Sequence, residues 1–513
     1  MIKKLLYILP LIILCSCSKW LDVNEDPNTP KNVKLEELLP AGITSTAYIM
    51  GGRYQVLGAL WSQHWTQSPG ASQYAGIDAY DINSSSFDDR QYGALYSGAL
   101  KNFEEIRQRA YAEQEWKYYM ISTIMQCYIF QVLADLYEEI PFSEALIGEN
   151  ENFSPKFEHA KDIYDSLIVR IDNVIDIDVD DKNLQDPENA DLLFFGDMDK
   201  WIAFSNTLKL KIYLRQSEVY PTKAKTAIEK LYTDEVKFLN NNVAVTQYTN
   251  STGNRNPLYD TEFITLGGNP NLILSRTLHN YLIEMGDARL SYLFVQPQIG
   301  SSYKSNVQGD FTPDEEVSGI NSASYSKPFL YHSFPVYLMS FEESKFLQCE
   351  AITRYKLTDD WYKNAKEAYD DAVTMSYMRV ILPFGVAESA IQDEVDRKIN
   401  GGEYQFPPNN DTEEQYINTI AMQKWLSLAG IQSLETFFEQ NRNKYPIISR
   451  IPADDDEYKG GKLTPSIDNV SSNRFPKRLI IPESELSKNV NAPAKKAVWE
   501  KIWWDVKEDI YEE

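Results

Sequence analysis

The chain has 513 residues, of which 43% are hydrophobic, so it is long enough to bury a substantial core. Its formal net charge is −25, with 75 acidic residues against 50 basic ones. A surface this acidic repels phosphate backbones and argues against nucleic-acid binding. It also disfavours strongly anionic ligands unless a local basic pocket is present.

The N-terminus resembles the signal of a bacterial lipoprotein. Two lysines precede the mostly apolar segment 5–14, which is too short to span a bilayer. The segment ends in the letters LCSC, so that a serine stands directly before Cys17. We therefore expect a signal peptide over 1–16, a lipidated Cys17 and a proline-stiffened tether over 17–34. The alternative is an ordinary secretory signal with incidental cysteines.

Apolar residues recur at helical spacing through much of the rest of the chain. The pattern predicts single helices over 118–139, 157–175, 199–217 and 221–232, and helix pairs over 343–376 and 412–440. Pro221 suits a first helical turn, and Asp359 or Asp360 could cap a helix. The pair 343–376 has the length of one tetratricopeptide unit, but no strict repeat is present. We expect an all-α fold of degenerate helix hairpins in a single domain, 35–513.

Long segments between the helices are rich in Gly, Asn, Ser, Pro and Tyr, namely 61–99 and 248–335. Loops longer than about 15 residues in a compact domain are usually functional or disordered. Their aromatic content argues against disorder. A third segment, 451–474, reads as a solvated acidic loop.

Other aromatic and sulfur-containing residues fit a structural role. Trp201, Trp361 and Trp425 occupy helical apolar stripes, which predicts that they lie in the core. Cys127 and Cys349 stand in helical patterns and are expected to be small buried side chains.

Motifs for catalysis and metal binding are mostly absent. The four histidines lie far apart, and no metalloprotease, serine-hydrolase or nucleotide-binding motif occurs. Asp176, Asp178 and Asp180 resemble the start of a calcium loop, but the required glycine and glutamate are missing. We expect neither a metal nor a cofactor. A glycosidase needs only two suitably spaced carboxylates, so the sequence cannot identify or exclude such a pair.

A series of motifs in fixed order resembles the SusD/RagB-like nutrient-binding outer-membrane lipoproteins of Bacteroidetes. They are NEDPNTP at 24–30, WSQHWTQ at 61–67, DLYEEIPFSEAL at 135–146, GDMDKWIAFSNTLKLKIYLR at 196–215, GDARL at 286–290, FPKRLIIPESELSKN at 475–489 and VWEKIWWD at 498–505. Each motif alone is weak, but together and in this order they are specific. The terminal Trp503 and Trp504 match a family motif and are interpreted as structural.

The resemblance implies a tetratricopeptide-like scaffold whose long loops build a ligand-binding face. It also implies a lipid-anchored protein of the outer membrane, facing the cell exterior. Such proteins cover a SusC-like TonB-dependent transporter barrel and hand it nutrient oligomers, so the protein is expected to be a binder and not an enzyme.

Sugar rings present apolar faces on which aromatic side chains can stack, with polar neighbours reading the hydroxyl groups. The predicted ligand-binding residues are Trp61, Trp65, Tyr74, Tyr80 and Asp81 in the first insertion, and Asn256, Tyr259, Tyr303 and Tyr325 in the second. The expected ligand is an oligosaccharide, with peptides as a variant. The alternative function is a surface-anchored glycan hydrolase, which a close carboxylate pair in an aromatic cleft would favour.

Overall fold

The computed structural model describes residues 33–147, 152–267, 271–297, 300, 302–312, 324–408 and 411–512. The expected signal peptide, the lipidation site Cys17 and nearly all of the expected tether lie outside these residues.

The described chain is dominated by helices. In chain order the α-helices are α1 (Leu35–Gly51), α2 (Arg53–Trp61), α3 (Ala75–Asp78), α4 (Lys101–Glu113), α5 (Trp116–Tyr137), α6 (Ala160–Ile175), α7 (Met198–Arg215), α8 (Pro221–Thr233), α9 (Pro257–Tyr259), α10 (Arg276–Glu284), α11 (Leu290–Leu293), α12 (Phe341–Tyr355), α13 (Ala365–Ile381), α14 (Glu388–Ile399), α15 (Glu413–Ser427), α16 (Ser433–Asn443) and α17 (Glu483–Lys488). Wider π-helical turns span Asp89–Gly93, Leu95–Leu100 and Asp260–Thr265, and 3₁₀ turns span Glu188–Ala190 and Leu382–Phe384.

The strands are short and serve to join loops. They are β1 (Trp65–Gln67), β2 (Glu139–Pro141), β3 (Phe157–His159), β4 (Val243–Val245), β5 (Leu272–Leu274), β6 (Phe294–Val295), β7 (Lys327–Pro328) and β8 (Val336–Met339). They form antiparallel pairs, β1 with β5, β2 with β3, β4 with β8 and β6 with β7. The expected all-α class is confirmed.

The helices expected from periodicity are confirmed, with ends that differ by a few residues. Helix α8 begins with Pro221 in its first turn, as expected. Helices α1, α2, α4, α10 and α14, and the short helices α3, α9, α11 and α17, were not expected. In α1 the apolar pattern is interrupted by Pro40, which is tolerated inside the helix.

Helix α5 is the one described helix that is long and apolar enough to cross a membrane, and its most apolar stretch is 94% buried in the protein. It packs against both α4 and α6. We therefore interpret α5 as the central core helix of the scaffold.

Neighbouring helices pack as hairpins, which confirms the tetratricopeptide-like architecture. Helix α7 packs on α8, α12 packs on α13 and α15, and α15 packs on α16. One connected hydrophobic core runs from Leu35 in α1 to Trp504 near the C-terminus.

Three of the motifs meet at the buried carboxylate of Asp135. Trp504 Nε1 donates a 2.9 Å hydrogen bond to Asp135 Oδ1, and Arg215 Nε lies 3.3 Å from Asp135 Oδ2. The Tyr164 hydroxyl also donates to Asp135. The motifs around these residues thus fix the scaffold, and Trp504 is structural as expected.

One expected core residue and one expected cap are wrong. Trp361 is 63% exposed, because α13 begins four residues later at Ala365. The N-cap of α13 is Asn364, whose side chain accepts from the backbone N–H of Glu367 at 3.1 Å. Asp359 instead accepts from the backbone N–H groups of Trp361 and Tyr362 in a turn before the helix.

The expectations for the other tryptophans and for the cysteines are confirmed. Trp201 and Trp425 are buried, as are both cysteines, which carry free thiols. The segment 451–474 contains no helix or strand, and its acidic run 454–457 is exposed, but Ala453, Tyr458 and Leu463 are buried, so the segment is solvated only in part.

Candidate functional site

The two aromatic insertions come together on one side of the scaffold. Strand β1 of the first insertion pairs with β5 of the second, with Thr66 opposite Ile273. The Tyr74 hydroxyl donates a 2.6 Å hydrogen bond to Glu262 Oε1. We call the surface built by the described residues of 61–99 and 248–335 the loop face.

The insertions are less irregular than their composition indicates. The first holds β1, α3 and two π-helical turns, and the second holds α9, α10, α11 and several strands. At the N-cap of α10 the Ser275 side chain accepts from the backbone N–H of Leu278 at 3.2 Å. This local structure gives the loop face a defined shape before any ligand arrives.

All four predicted aromatic residues of the first insertion are buried in the protein. Trp61 is 2% exposed, and its Nε1 donates to the carbonyl of Ile77 at 3.1 Å. Tyr80 is 1% exposed and packs against Phe475. Trp65 and Tyr74 are each 2% exposed as well, but Trp65 lines one concave surface of the loop face and Tyr74 lines another. Ligand binding by these four residues stays a prediction. The geometry favours it for Trp65 and Tyr74 over Trp61 and Tyr80.

The other predicted residues fall into different settings. Asp81 is exposed, and Tyr303 is half-buried against the main core. Tyr325 is buried, with Lys304 Nζ 4.7 Å from its ring centre. Ligand binding by these three side chains stays a prediction.

Asn256 orients the backbone of the loop face. Its side-chain oxygen accepts from the backbone N–H groups of Leu258 and Tyr259, both at 3.0 Å. Its amide donates to the carbonyl of Phe334 at 2.8 Å. Because Asn256 is buried with these bonds made, its geometry favours a positioning role over direct ligand contact.

A group of rings that the sequence analysis did not single out forms the main apolar surface of the loop face. We call it the aromatic cluster: Tyr292, Phe329, Tyr331, Phe334 and Phe384. Ring centres lie 4.9 Å apart for Tyr292 and Phe384, 4.9 Å for Phe329 and Phe384, and 5.3 Å for Tyr331 and Phe334. Phe384 is 44% exposed and the others are half-buried.

The aromatic cluster surrounds a shallow depression of about 70 Å³, whose other walls include Trp65, Arg379 and Gly430. Arg379 is already engaged, with Nε donating to Glu342 and Nη2 to the carbonyl of Ser427, both at 2.6 Å. The surface is therefore mainly apolar and aromatic. The aromatic-rich run FLYHSFPVY at 329–337 could have indicated this surface from the sequence. Phe384 lies far from that run in the sequence.

Tyr259 extends this surface. Its ring stacks on Phe263 with centres 4.9 Å apart and planes inclined by 25°, and its edge meets His332 at 6.1 Å. His332 is the neighbour of Tyr331 in the chain. Tyr259 is therefore linked to the aromatic cluster through His332, and both of these rings are half-buried.

A second concavity is lined in part by Pro257, Leu258 and Thr261 of the second insertion. We call it the Arg53 pocket, with a volume of about 250 Å³, and its polar lining includes Tyr48, Arg53, Gln73, Tyr74, Arg90 and Gln91. The Arg53 guanidinium lies 5.2 Å from the ring centre of Tyr74 and 5.5 Å from that of Phe87. Burial lowers the pKa of Arg53 from its ordinary value.

Carboxylates with raised pKa values lie beneath the surface and are fully engaged. Burial raises the pKa of Asp78 to about 6, although the carboxylate accepts hydrogen bonds from Thr66, Gln67, Gln308 and Gly309. Burial also raises the pKa of Glu262, the partner of Tyr74. The described linings of the aromatic cluster and the Arg53 pocket contain no Asp or Glu. Neither surface thus shows the carboxylate pair that glycoside hydrolysis uses.

Histidines and acidic turns show no metal centre. Within the described ranges, no group of three or more His, Cys, Asp and Glu side chains could hold a metal ion. His64 and His279 are buried, and burial lowers their pKa values to about 3 and about 4. His159 accepts a hydrogen bond from the backbone N–H of Lys161 at the start of α6.

Comparisons with solved structures show the same fold. A chitin-binding protein is 21% identical, with a TM-score of 0.72 over 92% of this chain and 100% of its own. A SusD/RagB family protein from Bacteroides thetaiotaomicron is 20% identical, with a TM-score of 0.72 over 93% of this chain and all of its own. A chitin-binding SusD homologue from Flavobacterium johnsoniae is 17% identical, with a TM-score of 0.68 over 92% and 99%.

At the sequence level, no curated protein matches the chain. The SusD-like family model, described as starch-binding and associating with the outer membrane, matches residues 27–465. This match covers most of the chain and includes both insertions of the loop face. The chain therefore belongs to the SusD-like family.

Proposed function

We propose that the protein is a cell-surface lipoprotein that captures an oligosaccharide on its loop face and delivers it to a SusC-like TonB-dependent transporter. The aromatic cluster, placed on the loop face of a SusD-like scaffold, is the observation that carries this proposal. The description of the family as starch-binding, and the names of two chitin-binding relatives, support a glycan as the ligand.

The shape of the aromatic cluster suits a chain of sugars. A sugar ring offers an apolar face of C–H groups, and an aromatic ring covers it without needing a hydrogen-bond partner. A depression of about 70 Å³ is too small to engulf a sugar, so a ligand would lie across the rings. Several rings within 5–6 Å of one another provide a platform longer than one sugar unit.

Binding is favoured over hydrolysis by the lining of both concavities. A glycosidase places two carboxylates about 5–9 Å apart on either side of the scissile bond. The described linings of the loop-face concavities provide aromatic, amide and guanidinium groups instead. A peptide could also lie on such a surface, and it is the variant ligand to be tested beside glycans.

The experiment that tests capture is isothermal titration of a soluble form that begins at Ser18. The titrants are neutral oligosaccharides, acidic oligosaccharides and short peptides, with chromatographic product analysis of each mixture. Saturable binding of an oligosaccharide without products supports the proposal. Accumulation of shorter oligosaccharides would replace it with the hydrolase, and binding of peptides alone would replace the ligand class.

Anchoring and delivery need their own test in the native membrane. The proposal expects the full chain to fractionate with the outer membrane and to be labelled by a fatty-acid analogue. The Cys17→Ala variant should lose both properties. Purification of the wild type in mild detergent should bring a TonB-dependent barrel with it, and recovery of the chain alone would contradict the delivery role.

A further inference from the structure

The Arg53 pocket differs from the aromatic cluster in size and polarity. Its volume of about 250 Å³ is near the lower end of small-ligand sites, which begin at about 300 Å³. It can therefore admit a single sugar unit or a substituent. At its rim the ring of Tyr48 is 62% exposed, which leaves a face on which a sugar could stack.

The guanidinium of Arg53 has donors to spare. Its contacts with described residues are the rings of Tyr74 and Phe87, at 5.2 and 5.5 Å. These two rings attract the cation through their faces but accept none of its five N–H groups as an ordinary hydrogen bond. Within the described part of the chain, Arg53 makes no hydrogen bond or ion pair.

The charges around Arg53 largely balance each other. Arg90 and Asp88 are the charged groups that act on Arg53, and they do so with opposite signs. They pair with each other, with Arg90 Nε 3.1 Å and Nη2 3.3 Å from the two carboxylate oxygens of Asp88. The positive charge of Arg53 thus stays unneutralised at the wall of an open pocket, in a chain with a net charge of −25.

We propose that the Arg53 pocket recognises an anionic oxygen group, a carboxylate or a sulfate, carried by the glycan that the loop face captures. This inference rests on the proposed function. A guanidinium recognises a planar carboxylate or a sulfate through paired N–H···O bonds, and partial burial strengthens them. Gln73 and Gln91 lie in the same lining and supply amide groups for neighbouring hydroxyls. The pocket is the local basic site that would overcome the repulsion of anions by the acidic surface.

The test is isothermal titration of the soluble protein with four defined probes. Maltotetraose and chitotetraose are neutral, a galacturonate tetramer carries carboxylates, and a 6-sulfated N-acetylglucosamine oligomer carries sulfates. The variants are Arg53→Gln, Arg53→Lys and the control Arg397→Gln, whose arginine is exposed and paired with Glu394. Thermal unfolding of each variant checks that it is folded.

The proposal expects one acidic probe to bind roughly 10- to 100-fold more tightly than either neutral probe, as for hydrogen bonds to charged groups. Arg53→Gln should remove that preference, Arg53→Lys should keep part of it, and Arg397→Gln should keep all of it. The preferred acidic probe identifies the group as carboxylate or sulfate. Raising the salt concentration should weaken the acidic probe selectively.

Two results would overturn the inference while leaving glycan capture intact. One is equal affinity for neutral and acidic probes, and the other is an acidic preference that survives in Arg53→Gln. If no oligosaccharide binds in this or the wider panel, glycan capture itself fails and the inference falls with it.

Discussion

The Tyr74 hydroxyl donates a 2.6 Å hydrogen bond to Oε1 of Glu262 and thereby joins the two insertions of the loop face. Both side chains are buried, and Glu262 also accepts from the backbone N–H of Asn271 at 3.1 Å. The bond lies between the Arg53 pocket and the segment that carries Tyr259. It therefore helps to hold the two concave surfaces in a fixed relation.

The variant Tyr74→Phe tests this link. It keeps the ring beside Arg53 but leaves the buried Glu262 short of one donor, which should cost about 1–3 kcal/mol of unfolding free energy. Denaturant unfolding measures the loss. Tyr111→Phe is the matched control, because Tyr111 is 62% exposed and should change stability little. Equal stability of Tyr74→Phe and the wild type would show that the bond does not hold the loop face.

A buried charge network holds the helical scaffold behind the loop face. Arg215 Nη2 lies 2.7 Å from Glu435, Arg215 Nη1 lies 2.6 Å from Glu439, and its Nε lies near Asp135. Arg215→Met would leave these buried carboxylates without their shared cation, at a cost of about 3–5 kcal/mol. We expect a clear drop in the denaturation midpoint. A loss no greater than that of the exposed control Arg397→Met would contradict this role.

Asp78 should give the stability a defined pH dependence. Burial raises its pKa from 3.8 to about 6 in the folded protein, so the folded state binds more protons than the unfolded state between these values. Its contribution to stability is present below the unfolded pKa and is lost as pH rises through about 6. This pKa shift corresponds to a change of roughly 2–3 kcal/mol in the unfolding free energy.

The measurement is the unfolding free energy of wild type and Asp78→Asn between pH 4 and pH 7. Asp78→Asn removes the carboxylate that several donors share, which lowers stability at every pH. The informative quantity is therefore the difference in unfolding free energy between the two proteins. The stability advantage of the wild type over Asp78→Asn should shrink as pH rises. Asp456→Asn makes the same change of charge at an exposed residue and serves as the control. A pH-independent difference would contradict the raised pKa.

The sequence allowed the scaffold to be predicted because its helices carry apolar stripes and its family motifs stand in order. Trp504 and Asp135, both within such motifs, meet as a hydrogen-bonded pair in the core. The prediction that Trp361 lies in the core was wrong because the apparent apolar stripe ran through a turn. Only the Asn364 cap marks where α13 begins. Local pattern does not distinguish a turn that precedes a helix from its first turn.

The site was harder to predict, since exposure depends on contacts between distant segments. Trp61 and Tyr80 have the composition and setting of ligand-binding rings, yet residues far along the chain, Phe437 and Phe475, pack against them. The cluster ring Phe384 joins Tyr292 and Phe329 from outside both insertions. No sequence pattern pointed to Arg53. Its interest comes from its place in the wall of a pocket and from its lack of a hydrogen bond or ion pair with the described residues.

The central claim, that the aromatic cluster captures the glycan, is tested most directly by comparing the affinities of the wild type and three variants for the best-binding oligosaccharide. The variants are Tyr331→Ala and Phe384→Ala in the cluster and Trp361→Ala, an exposed ring far outside the insertions in sequence. Loss of one stacking ring should weaken binding by about 1–3 kcal/mol, or roughly 5- to 150-fold. We expect that loss for both cluster variants and an unchanged affinity for Trp361→Ala. Unchanged affinity in both cluster variants, with all proteins folded, would contradict the account.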